Sequence, residues 1–393
     1  MNILFVRYGS IYEPDMIDAF QKAGVNVVEI DTRMNGGNVD NEIIMKHVED
    51  GIREHSPMFV YGINFYPVVA DICNIYNTLY VSQTVDSPVL TLFSRSVAHP
   101  TNRIFMFDRE QYERFLSYNR DCIFHLPLAS AVDRFDKVIG SITDDDRKRF
   151  GSDIAFVGST YREKDPLASF PDIPDYTKGF VDALVECALK IYGYYPAKDL
   201  LVDRIVDDIK NAAGNSFPNY HKLIDSIDTY VVSHEYIASH IAVEERVRTL
   251  NELGKHFKVD MYTRGDTSGY DNVNIHSEVS SLIEMPKVFN LSKINLNMTV
   301  RSIETGLPLR CFDILGCGGF LMTNYQEEIE DMFVIGRDLE TYDSIDELTD
   351  KCGYYLSHEE ERASIAANGY EKVRSEYTHF HRLNQMLKNG RML

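Results

Sequence analysis

The first 135 residues alternate short apolar, β-rich runs with stretches whose apolar positions recur at helical spacing. The runs predict strands over Ile3–Arg7, Val25–Ile30, Met58–Ile63, Thr78–Gln83, Arg103–Phe107 and Cys122–Leu126, with helices over Pro14–Ala23, Asn41–His55, Pro67–Tyr76 and Glu110–Ser117. Such alternation predicts βα units around a parallel sheet, whose strands stay apolar on both sides because helices cover both faces. The rhythm lapses over Asp133–Gly151, where the run Asp144–Asp145–Asp146–Arg147–Lys148–Arg149 predicts an exposed linker with a short helix. A strand over Asp153–Val157 is followed by a long helical stretch, and strands resume at Lys258–Tyr262, Val273–His276, Ile294–Met298, Phe320–Thr323 and Phe333–Ile335. Helical patterns over Ile345–Leu356, Glu359–Tyr377 and His379–Lys388 close the chain.

The chain therefore reads as α/β, with two doubly wound Rossmann-like domains facing a cleft. The first covers residues 1–135, a linker 136–152, and the second 153–377 with a helical insertion over about 162–250; a final helix, 378–393, is expected to pack back on the first domain. Open α/β sheets bind ligands beyond the carboxyl ends of their strands, so function is sought there.

Sixty acidic against 40 basic residues give a formal charge of −20, which argues against nucleic-acid and anionic-membrane partners. Six cysteines without a C-x-x-C pair fit reduced thiols in a cytoplasm better than a disulfide framework or zinc ribbon. No apolar run approaches the roughly 18 residues of a membrane span, and no signal peptide is evident.

Several motifs fail. His234–Glu235 followed by His240 resembles a zincin signature, but the histidines are too far apart to share a helical face and read as part of a solvated helix. G-x-G-x-x-G after a strand, the P-loop and the G-x-S-x-G elbow are all absent from the sequence. Asp144–Asp146 reads as a solvated charge patch and not a metal site, and no metal is expected.

The most informative stretch is Ile294–Phe333. A strand ends in a polar loop holding Thr299, Arg301, Ser302 and Glu304, and Gly306 precedes a helix beginning near Leu307–Pro308. Glycine before an N-terminal proline favours a tight turn with free N–H groups, and such a helix terminus suits a phosphate. Arg310 and Asp313 share a face of this helix, offering a cation to a diphosphate and a carboxylate to sugar hydroxyls, or else only an ion pair with each other.

The run Asn290–Leu383, with LSKINLN, RS, GLPLRCFDILGCGGFL, TNYQ, YYL, NGY and HR, resembles the C-terminal region of bacterial CgeB-like, spore-maturation-type glycosyltransferases. VDSP at Val85–Pro88, IFMFDREQYERF at Ile104–Phe115 and FHLPLA at Phe124–Ala129 resemble the N-terminal domain often fused to it. The resemblance implies a GT-B fold, a nucleotide-sugar-binding C-terminal domain and an N-terminal domain that shapes the acceptor site. It also implies an E-x7-E motif of retaining enzymes, but alignment on Gly318 puts its second position on Asp313 and its first on Thr305, one residue after Glu304. Asp313 stays a ribose ligand on this basis, whereas Glu304 is weakened as a sugar contact and the stereochemical outcome is open.

The resulting expectation is a metal-independent, retaining-type hexosyltransferase, without a cofactor, using a UDP- or GDP-linked sugar and a glycan or protein acceptor. A GT-B-fold epimerase and a non-catalytic sugar-nucleotide-binding protein are the alternatives. Donor-side candidates are Gly158, Ser159 and Tyr161 after the first strand of the second half, Tyr262 and Arg264 at the next strand end, and His276, Asn297, Thr299, Arg301, Gly306, Leu307 and Asp313. Catalytic candidates are Arg310, for the departing diphosphate, and Asp86, either an acid/base carboxylate or a cap before Pro88. Tyr8, Gly9 and Asn64 are assigned to the acceptor side.

Overall fold

The computed structural model describes residues 2–32, 41–170, 172–218 and 227–391. The chain forms two compact units, one holding Met1–Ala129 with Tyr377–Leu393, the other Ser130–Asn219 with Ile227–Glu376.

The first unit follows the predicted alternation: β1 (Asn2–Arg7), α1 (Glu13–Lys22), β2 (Asn26–Asp31), α2 (Asn41–His55), β3 (Phe59–Ile63), α3 (Pro67–Ile75), β4 (Leu79–Gln83), β5 (Asn102–Met106), α4 (Arg109–Leu116) and β6 (Ile123–His125). The strands pair in parallel in the order β2-β1-β3-β4-β5-β6. Every residue of central β3 is buried, as two helix-covered faces require, whereas edge strand β2 has no buried position. The order reverses between β1 and β3, so the turns after these strands flank the switch point where such sheets take ligands.

The second unit opens with α5 (Val132–Ile139) and α6 (Asp144–Phe150) before β7 (Ile154–Val157). Residues 136–152, expected as a linker with a short exposed helix, hold the end of α5 and the short helix α6. Thr143 and Asp146 close a capping box that nucleates α6, and Lys287 and Glu284 hold Asp146 and Arg149 at 3.0 Å each. The charge run stays exposed apart from Asp146, which is half-buried under Lys287. The helical stretch contains α7 (Asp175–Ala188), α8 (Ala197–Leu200), α9 (Asp203–Ala213) and α10 (Asp228–Val231), then a π-helical turn Val232–Ile237 that leads into α11 (Ala238–His256).

Strands β8 (Val259–Thr263) and β9 (Asn274–Ser277) follow, then α12 (Met285–Leu291), β10 (Ile294–Asn297), α13 (Leu309–Gly316), β11 (Leu321–Asn324), α14 (Ile329–Met332), β12 (Glu340–Tyr342), α15 (Ile345–Ser357) and α16 (Glu359–Glu376). The parallel order β12-β11-β10-β7-β8-β9 puts the switch point between β7 and β10. The strand expected at Phe333–Ile335 is only a single bridge, Ile335 to Leu339, and the sixth strand is Glu340–Tyr342. Glu340 hid it: a carboxylate reads as surface, but here it is buried with Tyr355 Oη at 2.7 Å and Lys351 Nζ at 3.1 Å.

The chain ends in α17 (His379–Asn389), which belongs to the first unit. His379 packs on Tyr12 of the α1 entry at 4.5 Å between ring centroids, and Arg382 Nε donates to Leu128 O at 3.2 Å.

Helix α16 is seated by Gly369, where a Cβ would stand 2.2 Å from Asp338 O and 2.7 Å from Leu315 Cδ2. Gly369→Ala is expected to cost about 1–3 kcal/mol by overpacking. Gly179→Ala in α7, where a Cβ meets nothing within 4 Å, is expected to gain up to about 1 kcal/mol. Urea unfolding of both variants checks the pair, and a neutral Gly369→Ala would contradict this packing.

Candidate functional site

In the second unit the switch point brings the turn after β7 beside the long connection from β10 to α13. That connection is fixed by polar side chains at strand ends. Asn297 Nδ2 donates to Thr299 Oγ1 and Thr323 Oγ1, both at 2.9 Å, and the Thr299 N–H donates to Asn324 Oδ1 at 2.7 Å. Gln326 Nε2 donates to Ile303 O and Gly306 O at 3.0 and 3.1 Å, and Thr305 Oγ1 donates to Glu328 Oε1 at 2.8 Å. Residues after β11 therefore shape the loop and deliver the chain to α13. The Asn324 Nδ2 amide is buried and has no hydrogen-bond partner among the described residues, an arrangement that suits an acceptor atom of a ligand.

Helix α13 begins after Pro308, which offers no side-chain cap to its first N–H groups. Leu307 is buried and anchors the turn. Arg310 Nη1 lies 3.4 Å from Asp313 Oδ2 and also contacts Met285 Sδ, while its guanidinium sits 5.3 Å from the centre of the Phe289 ring. The pair thus exists, on a partly covered face and not a fully solvated one.

The remaining donor-side candidates are dispersed. Gly158 N–H is taken by Tyr262 O at 3.1 Å, and Ser159 Oγ donates to Glu163 while accepting the Tyr161 N–H, at 2.6 and 2.8 Å. Tyr161, in the left-handed region at φ 66°, lies with its ring under Arg246 at 4.4 Å. Tyr262, a donor-side candidate, stacks on His276 at 4.7 Å because these residues oppose one another in the β8–β9 register. His276 is further held by Asp260 at 2.7 Å. Arg264 is exposed and pairs loosely with Glu278 at 3.7 Å.

Arg301 departs most from expectation. It is only 4% exposed, donates to Ala188 O and Glu245 Oε1 at 2.9 Å each, and lies over the Tyr192 ring at 4.4 Å. It ties the loop to α7 and α11 and does not present a cation to an anionic ligand.

Sequence reasoning placed Glu304 in this loop but missed the partners that bury it. Glu304 has a 7% exposed side chain, with His234 Nε2 at 3.0 Å on one oxygen and Lys198 Nζ at 2.7 Å on the other. His234 is buried, not solvated: Tyr230 stacks on its ring at 3.9 Å, and Tyr230 O lies 3.2 Å from its Nδ1. Both ring nitrogens face acceptors, so both contacts are satisfied only with a proton on each. His240 pairs separately with Asp165 at 2.9 Å. The His-Glu dipeptide was the available signal, and its meaning lay in the π-helical turn that turns His234 inward, not in metal-ligand spacing.

In the first unit the strand-end candidates do meet. Asn64, left-handed at φ 59°, donates to Asp86 Oδ2 at 2.8 Å and lies 3.4 Å from Tyr8 Oη. Burial, with the negative charges of Asp86 and Glu13 nearby, pushes the Tyr8 hydroxyl up to about 12.

Burial alone would raise the Glu304 carboxyl, but His234 and then Lys198 outweigh it and hold the group at about 2, against an ordinary 4.5. A depressed carboxylate stabilises the fold above its unfolded value, and that contribution is lost as pH falls through the folded value. Urea unfolding is therefore expected to show stability falling below pH 4.5 toward about 2, by on the order of 3 kcal/mol from this group. Glu304→Gln, which removes the counter-charge of Lys198 and His234, is expected to destabilise the fold at neutral pH and to flatten this acid limb. An unchanged limb in the variant would remove Glu304 from the account.

Residues 242–388 match the family described as glycosyl transferase-like. No curated protein matches the chain in sequence. The structure is similar to a glycosyltransferase from Rickettsia africae at 11% identity, covering 99% of this chain and 97% of that one, with a TM-score of 0.55. It is similar also to HepE of Anabaena in complex with UDP and glucose, at 11% identity, full coverage of both chains and a TM-score of 0.51. Sucrose-phosphate synthase from Thermosynechococcus elongatus shares the fold at 9% identity, 100% and 98% coverage and a TM-score of 0.53. The chain thus has the two-sheet GT-B fold of glycosyltransferases and carries a glycosyl transferase-like segment over residues 242–388.

Proposed function

We propose that the protein is a CgeB-like, cytoplasmic, metal-independent glycosyltransferase that moves a sugar from a UDP- or GDP-linked donor to an acceptor hydroxyl with retention. The observation that carries this reading is that the glycosyl transferase-like segment contains the β10–α13 connection, which lies at the sheet's switch point and ends in an uncapped helix. Structures of HepE with UDP and with UDP-glucose lend UDP weight as the donor nucleotide.

In this reading the α13 N-terminus and Arg310 stabilise charge developing on the departing diphosphate. Asp313 accepts hydrogen bonds from the ribose, and Asn324 Nδ2 donates to the donor. Asp86, in the first unit, is the carboxylate assigned to the acceptor hydroxyl.

Arg310→Ala is expected to weaken UDP or GDP binding about ten- to a hundredfold in calorimetric titration. Asp313→Asn is expected to weaken the intact nucleotides while sparing inorganic pyrophosphate. Unchanged affinity in both variants would sink the donor site. Nucleoside diphosphate release from a nucleotide-sugar panel, with and without added acceptors, should depend on acceptor and persist in EDTA. Conversion of donor without any acceptor would favour an epimerase, and binding without turnover a non-catalytic role.

A further inference from the structure

The first βα turn of the first unit has the form of an anion site. After β1, Gly9 at φ 99° curls the chain so that the N–H groups of Tyr8, Gly9 and Ser10 converge. They converge on the chain's own Glu13, whose Oε1 accepts them at 2.8, 3.0 and 3.1 Å, while Oε2 accepts from Arg7 Nε at 3.1 Å. Glu13 is fully buried. The place where a phosphate would dock is already filled by a carboxylate.

Beside this closed turn lies a constellation of another kind. Tyr8 and Tyr66, both partly buried, set their rings 5.8 Å apart at 60°. Asn64 is locked in one orientation, with Oδ1 accepting the Val85 N–H at 3.0 Å and Nδ2 donating to Asp86 Oδ2 at 2.8 Å. Asp86 is exposed, and its Oδ1 takes no hydrogen bond among the described residues. Tyr8 and Asn64 immediately follow β1 and β3, the strands of the switch point.

We infer that these residues form a subsite for an uncharged pyranose, so that the acceptor of the proposed reaction is a neutral saccharide and not a phosphorylated sugar. Tyrosine rings match the C–H faces of a pyranose. Asp86 Oδ1 accepts from a hydroxyl, and Asn64 holds that carboxylate in position. Glu13 and Asp86 both disfavour a phosphate, the first by occupying its amides and the second by like charge. This rests on the glycosyltransferase reading but is decided on a different unit of the chain.

Saturation-transfer NMR on the full chain, with methyl pyranosides and glucose 6-phosphate as probes, tests it alongside UDP and GDP titration of the same samples. Transfer to at least one methyl pyranoside is expected, and none to glucose 6-phosphate. Asp86→Asn and Tyr66→Ala should each weaken the saccharide by about tenfold or more with nucleotide affinity unchanged. Asp86 is exposed, so its variant should fold even if Tyr66→Ala does not. Nucleotide binding without saccharide transfer, transfer to glucose 6-phosphate as strong as to the pyranosides, or indifference to Asp86→Asn overturns the subsite while leaving the donor reading standing. Failure of both nucleotides to bind overturns the donor reading itself.

Discussion

A carboxylate removed from water must be met by cations, and in the second unit that requirement organises the candidate site. Glu304 stands in the loop after β10, yet its partners come from α8 and the π-helical turn, tens of residues earlier in the chain. The π-helical turn also packs through Val232, Tyr236 and Ile237, whereas α8 is a single turn with one buried residue, Ala197, and is held to the loop chiefly by Lys198. A second buried pair, Arg301 with Glu245, fastens the same loop to α11. Breaking either pair leaves an uncompensated charge in a dry interior, which is far costlier than losing a surface contact.

Much of the fold was legible because parallel strands are buried on both faces and write continuous apolar runs. Eleven predicted strands overlap the observed β1 to β11. What escaped were places where charge is buried by remote partners. Glu340 masked β12 in this way, and nothing local to Glu304 announced its ties to His234 and Lys198.

The candidate site was legible to a lesser degree, for the same reason. Strand ends can be located from periodicity, and Asn297, Thr299 and Asn64 sit at such ends. Which way a side chain turns depends on its cross-strand neighbour or a distant helix. Tyr262 is absorbed by His276, and Arg301 by Ala188 and Glu245. Glu13 fills the first turn of the other unit, although nothing in its local sequence distinguishes it from an ordinary first-turn acidic residue.

The π-helical turn at Val232–Ile237 is in effect a one-residue insertion carried inside a helix. His234 lies within it, whereas Glu245 lies two turns beyond it on α11. Excising one residue would restore regular α-helical bonding but rotate everything downstream by about 100° relative to what precedes it. His234 and Glu245 would then no longer face Glu304 and Arg301 together. The extra residue acts as a phase adjuster that lets one continuous helix serve two anchor points on a single loop, and its removal would detune the loop without touching any residue that meets a ligand.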